Sequence, residues 1–231
     1  MGWDISYHPI SETQMQEWYF DVLEHPNHIE TVIKRYELDD FYAEKYRNTM
    51  EVARSTEPNE IFDKSHGFYL AVVQGFFKNY FYTRGSALSF IEQPAFRSYY
   101  RQWQEFIPAS LLACEVHNQL IENYCSGVFL PHEGVCRLLE DYETVPAIRS
   151  ELDAAFSHGR IQVLLKALHA AQAQKVGLLE ATEVVEPNPM DLNRSTSYSN
   201  LYHCDTEGPL LYQEAALEQL REAGIIPDNN N

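Results

Sequence analysis

The fold turns on Leu178–Asp205, LLEATEVVEPNPMDLNRSTSYSNLYHCD. It is polar, carries Pro187 and Pro189, and lies between two strongly helical runs, Arg160–Lys175 and Pro209–Ala223. So long a connection inside a compact domain is functional or conceals short strands. Its start, Leu178–Val185, reads as a strand, because Thr182, Val184 and Val185 are β-branched and Pro187 stops the run. Alternation then puts Leu179, Ala181 and Glu183 on one face and Glu180 and Thr182 on the other. Tyr198–Tyr202 reads as a second strand.

At the other end of the chain, GWDISYH alternates Trp3, Ile5 and Tyr7 with Asp4, Ser6 and His8, the pattern of a strand with one buried face. Strands near residues 3–8, 178–185 and 198–202 together make a small peripheral β-sheet laid against helices. The expected fold is mainly α, a single helical domain over residues 1–231, with a frayed tail at 228–231.

Helical spacing fills the remainder. Ser11 and Gln14 have capping-box spacing, and Met15, Trp18, Tyr19 and Val22 form one face of a helix over Ser11–Glu24. Further helices are expected at 29–37 and Asp40–Arg54, the latter polar and outermost. Phe68–Tyr82 is apolar nearly all round and predicts the central buried helix. Short helical segments follow at Ser86–Glu92, Pro94–Phe106 and Pro108–Tyr124, the second with an aromatic stripe of Phe96, Tyr99, Tyr100, Trp103 and Ile107. Val128–Leu130 reads as a brief extended segment. Pro131 and Pro146 open two more helices, and Arg160–Lys175 ends at Gly177, a natural C-terminal cap.

The chain has 231 residues, enough for one full core, and 45% of them are hydrophobic. Acidic side chains number 34 against 17 basic ones, a formal charge of −17. That balance argues against broad contact with nucleic acid or an anionic membrane, and it would steer a cationic partner. Met1 to Ile10 reads as folded chain, not as a leader, and no run suits a membrane span. Cys114, Cys125, Cys136 and Cys204 are too unevenly spaced for a disulfide framework, so a cytoplasmic location is expected.

No motif names a reaction. His25 and His28 flank a proline and do not make a metalloprotease pair; Cys125, His132 and Cys136 lack the tight spacing of a zinc site. Neither a metal nor a cofactor is expected. His203-Cys204-Asp205 has no nucleophile-motif context, and phosphate-binding glycine loops are absent. The carboxylates are more informative. Glu180, Glu183, Glu186, Asp191 and Asp205, with Tyr198, read as an acidic recognition edge. Asp4, His8, Glu183 and His203 form the alternative, an acid–base cluster for a small hydrolase, with or without a metal.

The opening MGWDISYHPI, together with GRIQVLLKAL, LLEATEVVEPNP and YSNLYHCDTEGPLLYQEAALEQL, resembles a group of small acidic bacterial proteins similar to immunity proteins. Those are cytoplasmic antidotes to interbacterial toxins such as polymorphic or type VI secretion effectors. The resemblance covers the first ten residues and about the last seventy, and it carries over no functional residue. It implies tight binding of a cognate protein toxin, with a basic catalytic cleft covered by an acidic surface, by a monomer or a homodimer. A third expectation is an oligomeric module using the 96–107 aromatic stripe as its own interface.

Overall fold

A computed structural model describes residues 3–197 and 203–227. Helix outweighs strand, as expected, but the sheet is central and not peripheral. Five strands take the order β3-β4-β1-β2-β7: β1 is Asp4–Ile10, β2 Tyr80–Arg84, β3 Ser126–Leu130, β4 Gly177–Thr182 and β7 Cys204–Asp205. All pairs are antiparallel except β2 with β7. β5 (Val185–Glu186) and β6 (Thr196–Ser197) form a separate two-stranded ribbon. The strand expected at 198–202 and the tail at 228–231 lie outside the described residues.

Every residue of β1 and of β4 is buried, since helices cover both faces of the sheet. On one face Ile10, Leu179 and Ala181 pack with Trp18, Tyr46, Phe62, Phe76 and Trp103. On the other, Ile5, Tyr7 and Leu178 pack with Leu138, Leu152, Phe156, Leu164 and Leu168. The alternation expected for β4 holds as far as Thr182, with Leu179 and Ala181 in the first core and Glu180 opposite Tyr7 towards the second. The strand expected over 178–185 breaks there: Glu183, at φ 58°, turns the chain into β5 and leaves the Leu179 face.

The first face is covered by α1 (Glu12–Met15), α2 (Asp21–Glu24), α3 (His28–Arg35), α4 (Asp40–Arg54) and α5 (His66–Phe77). A π-helical turn, Gln16–Phe20, joins α1 to α2, and the Ser11–Gln14 capping box opens the run. In α5 ten of twelve residues are buried, as its all-round apolar pattern predicts. The second face carries α6 (His132–Thr144), α7 (Pro146–Ala155) and α8 (Arg160–Gln174), and α9 (Glu207–Glu222) follows β7.

Four other expectations are corrected. The apolar run divides at Lys78 and Asn79, so α5 stops at Phe77 and Tyr80–Arg84 is a strand. Pro94–Phe106 and Pro108–Tyr124 are not α-helices but short 3₁₀ turns at Pro94–Tyr99, Trp103–Glu105 and Ala109–Leu111 in irregular chain. The left-handed cap of α8 is Lys175, with φ 57°, and Gly177 begins β4. The aromatic stripe cannot serve as an exposed interface, because Phe96, Tyr99, Trp103 and Ile107 are buried in the chain's own core.

Candidate functional site

β1 places Asp4, Ser6 and His8 on one face, but all three are buried, His8 against Gln74 of α5 and Asp4 against Tyr82 and Arg84 of β2. Ser6 Oγ lies 2.8 Å from His8 Nε2, and His8 Nδ1 lies 2.7 Å from Gln74 Oε1. The imidazole stacks on Tyr80, and Gln74 Nε2 donates to the carbonyls of Pro9 and Asn79. Burial lowers the His8 pKa to about 4, partly opposed by the bond that Nδ1 donates to Gln74 Oε1, so the ring is neutral at pH 7. The order hydroxyl, imidazole, amide is that of a nucleophile, base and orienting group. Yet Ser6, His8 and Gln74 are all buried, so a substrate has no route to the hydroxyl.

Asp4 and Glu183 do come together. The Asp4 N–H donates to Glu183 Oε1 at 3.4 Å, and the Glu183 N–H donates to the Asp4 carbonyl at 2.7 Å. Glu183 sits at φ 58°, in the turn that carries the chain from β4 to β5. Tyr82 donates to Asp4 Oδ1 at 2.6 Å, and Arg84 makes an ion pair with the same oxygen. Burial and then the Asp4 charge push the Glu183 pKa up to about 7. His8 and His203 stand apart from this pair: His8 is four residues further along β1, while His203 stacks on Tyr42 and bonds the Gly75 carbonyl.

The acids expected at a recognition edge are dispersed. Glu180 is buried, accepting from Tyr7 Oη and from the backbone N–H groups of Leu88 and Ser89, so it ties the loop after β2 to the sheet. Burial raises its pKa. Glu186 accepts from Tyr124, and Asp191 caps its own turn and pairs with Arg194. Asp205 pairs with Lys166, and Tyr198 lies outside the described residues. Of the zinc candidates, His132 and Cys136 touch at one helical turn, whereas Cys125 is buried against Thr182. No group of three or more His, Cys, Asp or Glu that could hold a metal occurs among the described residues.

What local sequence reading missed is the groove beside the Asp4–Glu183 corner. A cavity of about 690 Å³ lies between α9 and the end of β2, next to the α7–α8 turn. Arg84, His158 and Arg160 form one wall; Leu211, Tyr212 and the carboxylates of Glu214, Glu218 and Glu222 belong to the other. The i, i+4, i+8 spacing of those three glutamates could have signalled a ridge. Its position opposite β2 could not be read without the fold.

No family model matches the chain, and no curated protein or solved structure is significantly similar to it.

Proposed function

We propose that this protein works by binding another protein, as an immunity protein that neutralises a cognate toxin by covering its active site with an acidic surface. One observation carries the reading. Among the described residues, the side chains best suited to catalysis, Ser6, His8, Glu180 and Glu183, are enclosed in the fold and hydrogen-bonded there. Much of the surplus negative charge of −17 lies instead on exposed side chains such as Glu44, Glu51, Glu140, Glu214 and Glu218. An inhibitor of this kind needs a rigid scaffold and an electrostatically complementary face, and no reactive group of its own. No helix among the described residues is long and apolar enough to cross a membrane.

The test is mixing with the toxin domain encoded next to the gene, followed by size-exclusion chromatography. The reading predicts a stable complex and loss of toxin activity at equimolar ratio. Two separate peaks with a fully active toxin would refute it.

A second reading, a small hydrolase, is favoured by one feature: Glu183 holds a proton near neutrality beside the Asp4 carboxylate, as a general acid must. Under that reading Glu183→Gln abolishes a hydrolytic activity found by substrate screening without unfolding the chain. Under the binding reading no such activity exists to lose.

A further inference from the structure

Helix α9 is attached to the body by its first half. Gly208 lies against the Tyr82 carbonyl so closely that a Cβ there would come within 1.8 Å of the oxygen. Glu207 pairs with Lys166, and Tyr212 packs beneath the Arg84 guanidinium, 4.6 Å from its ring centre. Beyond Gln213, whose amide donates to the Pro189 carbonyl, no residue of the helix is buried, Gly208 and Pro209 being the buried ones of its 16. The inward face of the remaining turns lines the groove, with Leu211 and Ala215 towards its apolar part and Glu214, Glu218 and Glu222 exposed along it.

The charges in this groove are unequally committed. Arg84 is neutralised by Asp4, whereas Arg160, held by the carbonyls of Ser157 and Arg84 and by Ser157 Oγ, keeps its charge. Glu214, Glu218 and Glu222 form no ion pair among the described residues. Arg221, on the same helix, does not line the groove. With three carboxylates one turn apart against the single uncompensated guanidinium of Arg160, the field offered to an incoming group along this ridge is negative. A second copy of this acidic chain is repelled from such a surface.

We propose that the groove between α9 and the β2–α8 corner receives a basic segment of a partner protein, its Lys or Arg side chains pairing with Glu214, Glu218 and Glu222. This assignment rests on the binding function proposed above and names the surface and the chemistry of its occupant. Partly desolvated pairs in a groove are worth more than exposed ones, so the three glutamates together should carry most of the electrostatic share of affinity.

The probe is a fluorescein-labelled helical peptide with Lys at three successive i, i+4 positions and Leu and Ala elsewhere, followed by anisotropy at physiological salt. Two triple variants are compared with the parent: Glu214→Gln, Glu218→Gln, Glu222→Gln in the groove, and Glu51→Gln, Glu57→Gln, Glu60→Gln on a distant exposed region. Both remove the same charge. The proposal expects the groove triple to weaken binding by about tenfold or more and the distant triple by less than about twofold. Equal losses in both triples, or no binding by the parent chain, would overturn it, as would light scattering that shows a dimer dissolved by the groove triple. The toxin-domain experiment separates the two proposals. A toxin complex that the groove triple forms at parental strength overturns the groove assignment and leaves the function standing. Absence of any complex overturns the function, and the peptide result alone then decides the groove.

Discussion

His8 is a base with no access and Glu183 an acid with little, and the two make opposite demands on pH. The folded state holds the His8 pKa at about 4, below its unfolded value near 6.5, so its contribution to stability is complete above about 6.5. It is lost as pH falls from there to about 4, by roughly 3 kcal/mol for this fully buried ring. Nitrogen-15 NMR should show His8 neutral at pH 5, and a ring already protonated at pH 6 would contradict its burial. Glu183 runs the other way. Its folded pKa, about 7, lies above the unfolded value, so its favourable share is complete below about 4.5 and disappears as pH rises through 7. Glu183→Gln should accordingly melt higher than the parent chain at pH 8, with the gap closing at pH 5; an equal gap at both values would show that the carboxylate is not strained by Asp4. Ser6 provides a third check. A fluorophosphonate reagent should fail to label the native chain at Ser6, since the hydroxyl is buried beside His8, and rapid labelling would revive a hydrolytic role.

The elements that were legible in sequence are those whose period is unambiguous. α6 and α8 follow their apolar stripes, Pro146 opens α7, the Ser11 capping box marks the start of the first helix, and β1 and β4 follow their alternation, whereas α4, expected to be polar and outermost, buries Tyr42, Tyr46 and Met50. Where every side is buried the period vanishes. α5 and β2 therefore merged into one apolar run, although Lys78-Asn79 divides them and Tyr80–Thr83 has the aromatic, β-branched character of a strand. The Phe96–Tyr99 spacing of three suits a 3₁₀ turn as well as an α-helix, and the structure takes the tighter form. For α9, the close approach of Gly208 to β2 fixes where the helix leaves the sheet. Gly208→Ala should push the helix off, lowering Tm by several degrees, an effect of about 1–3 kcal/mol, with the largest gain in hydrogen exchange at residues 207–215. Unchanged exchange there would mean that α9 is held by something other than its first turn.

At the scale of the whole molecule, the polar face of β1 explains why the sheet was expected at the periphery. Asp4, Ser6 and His8 look solvated in sequence because their partners are remote: Tyr82 and Arg84 on β2, Gln74 on α5, and Glu183 after β4. A buried strand can carry polar residues when each finds such a partner, and no local pattern records those pairings. The candidate site shows the same limit. Of the expected cluster Asp4, His8, Glu183 and His203, only Asp4 and Glu183 lie together, and the groove depends on how β2, the α7–α8 turn and α9 converge. If an acidic face guides encounter with a basic partner, association must be steered and therefore screened by salt. The most direct measurement is the association rate with the neighbouring toxin domain, by stopped flow, at about 0.05 M and about 0.5 M salt. The account predicts a fall of about tenfold or more with a much smaller change in the dissociation rate. An association rate indifferent to salt would contradict it.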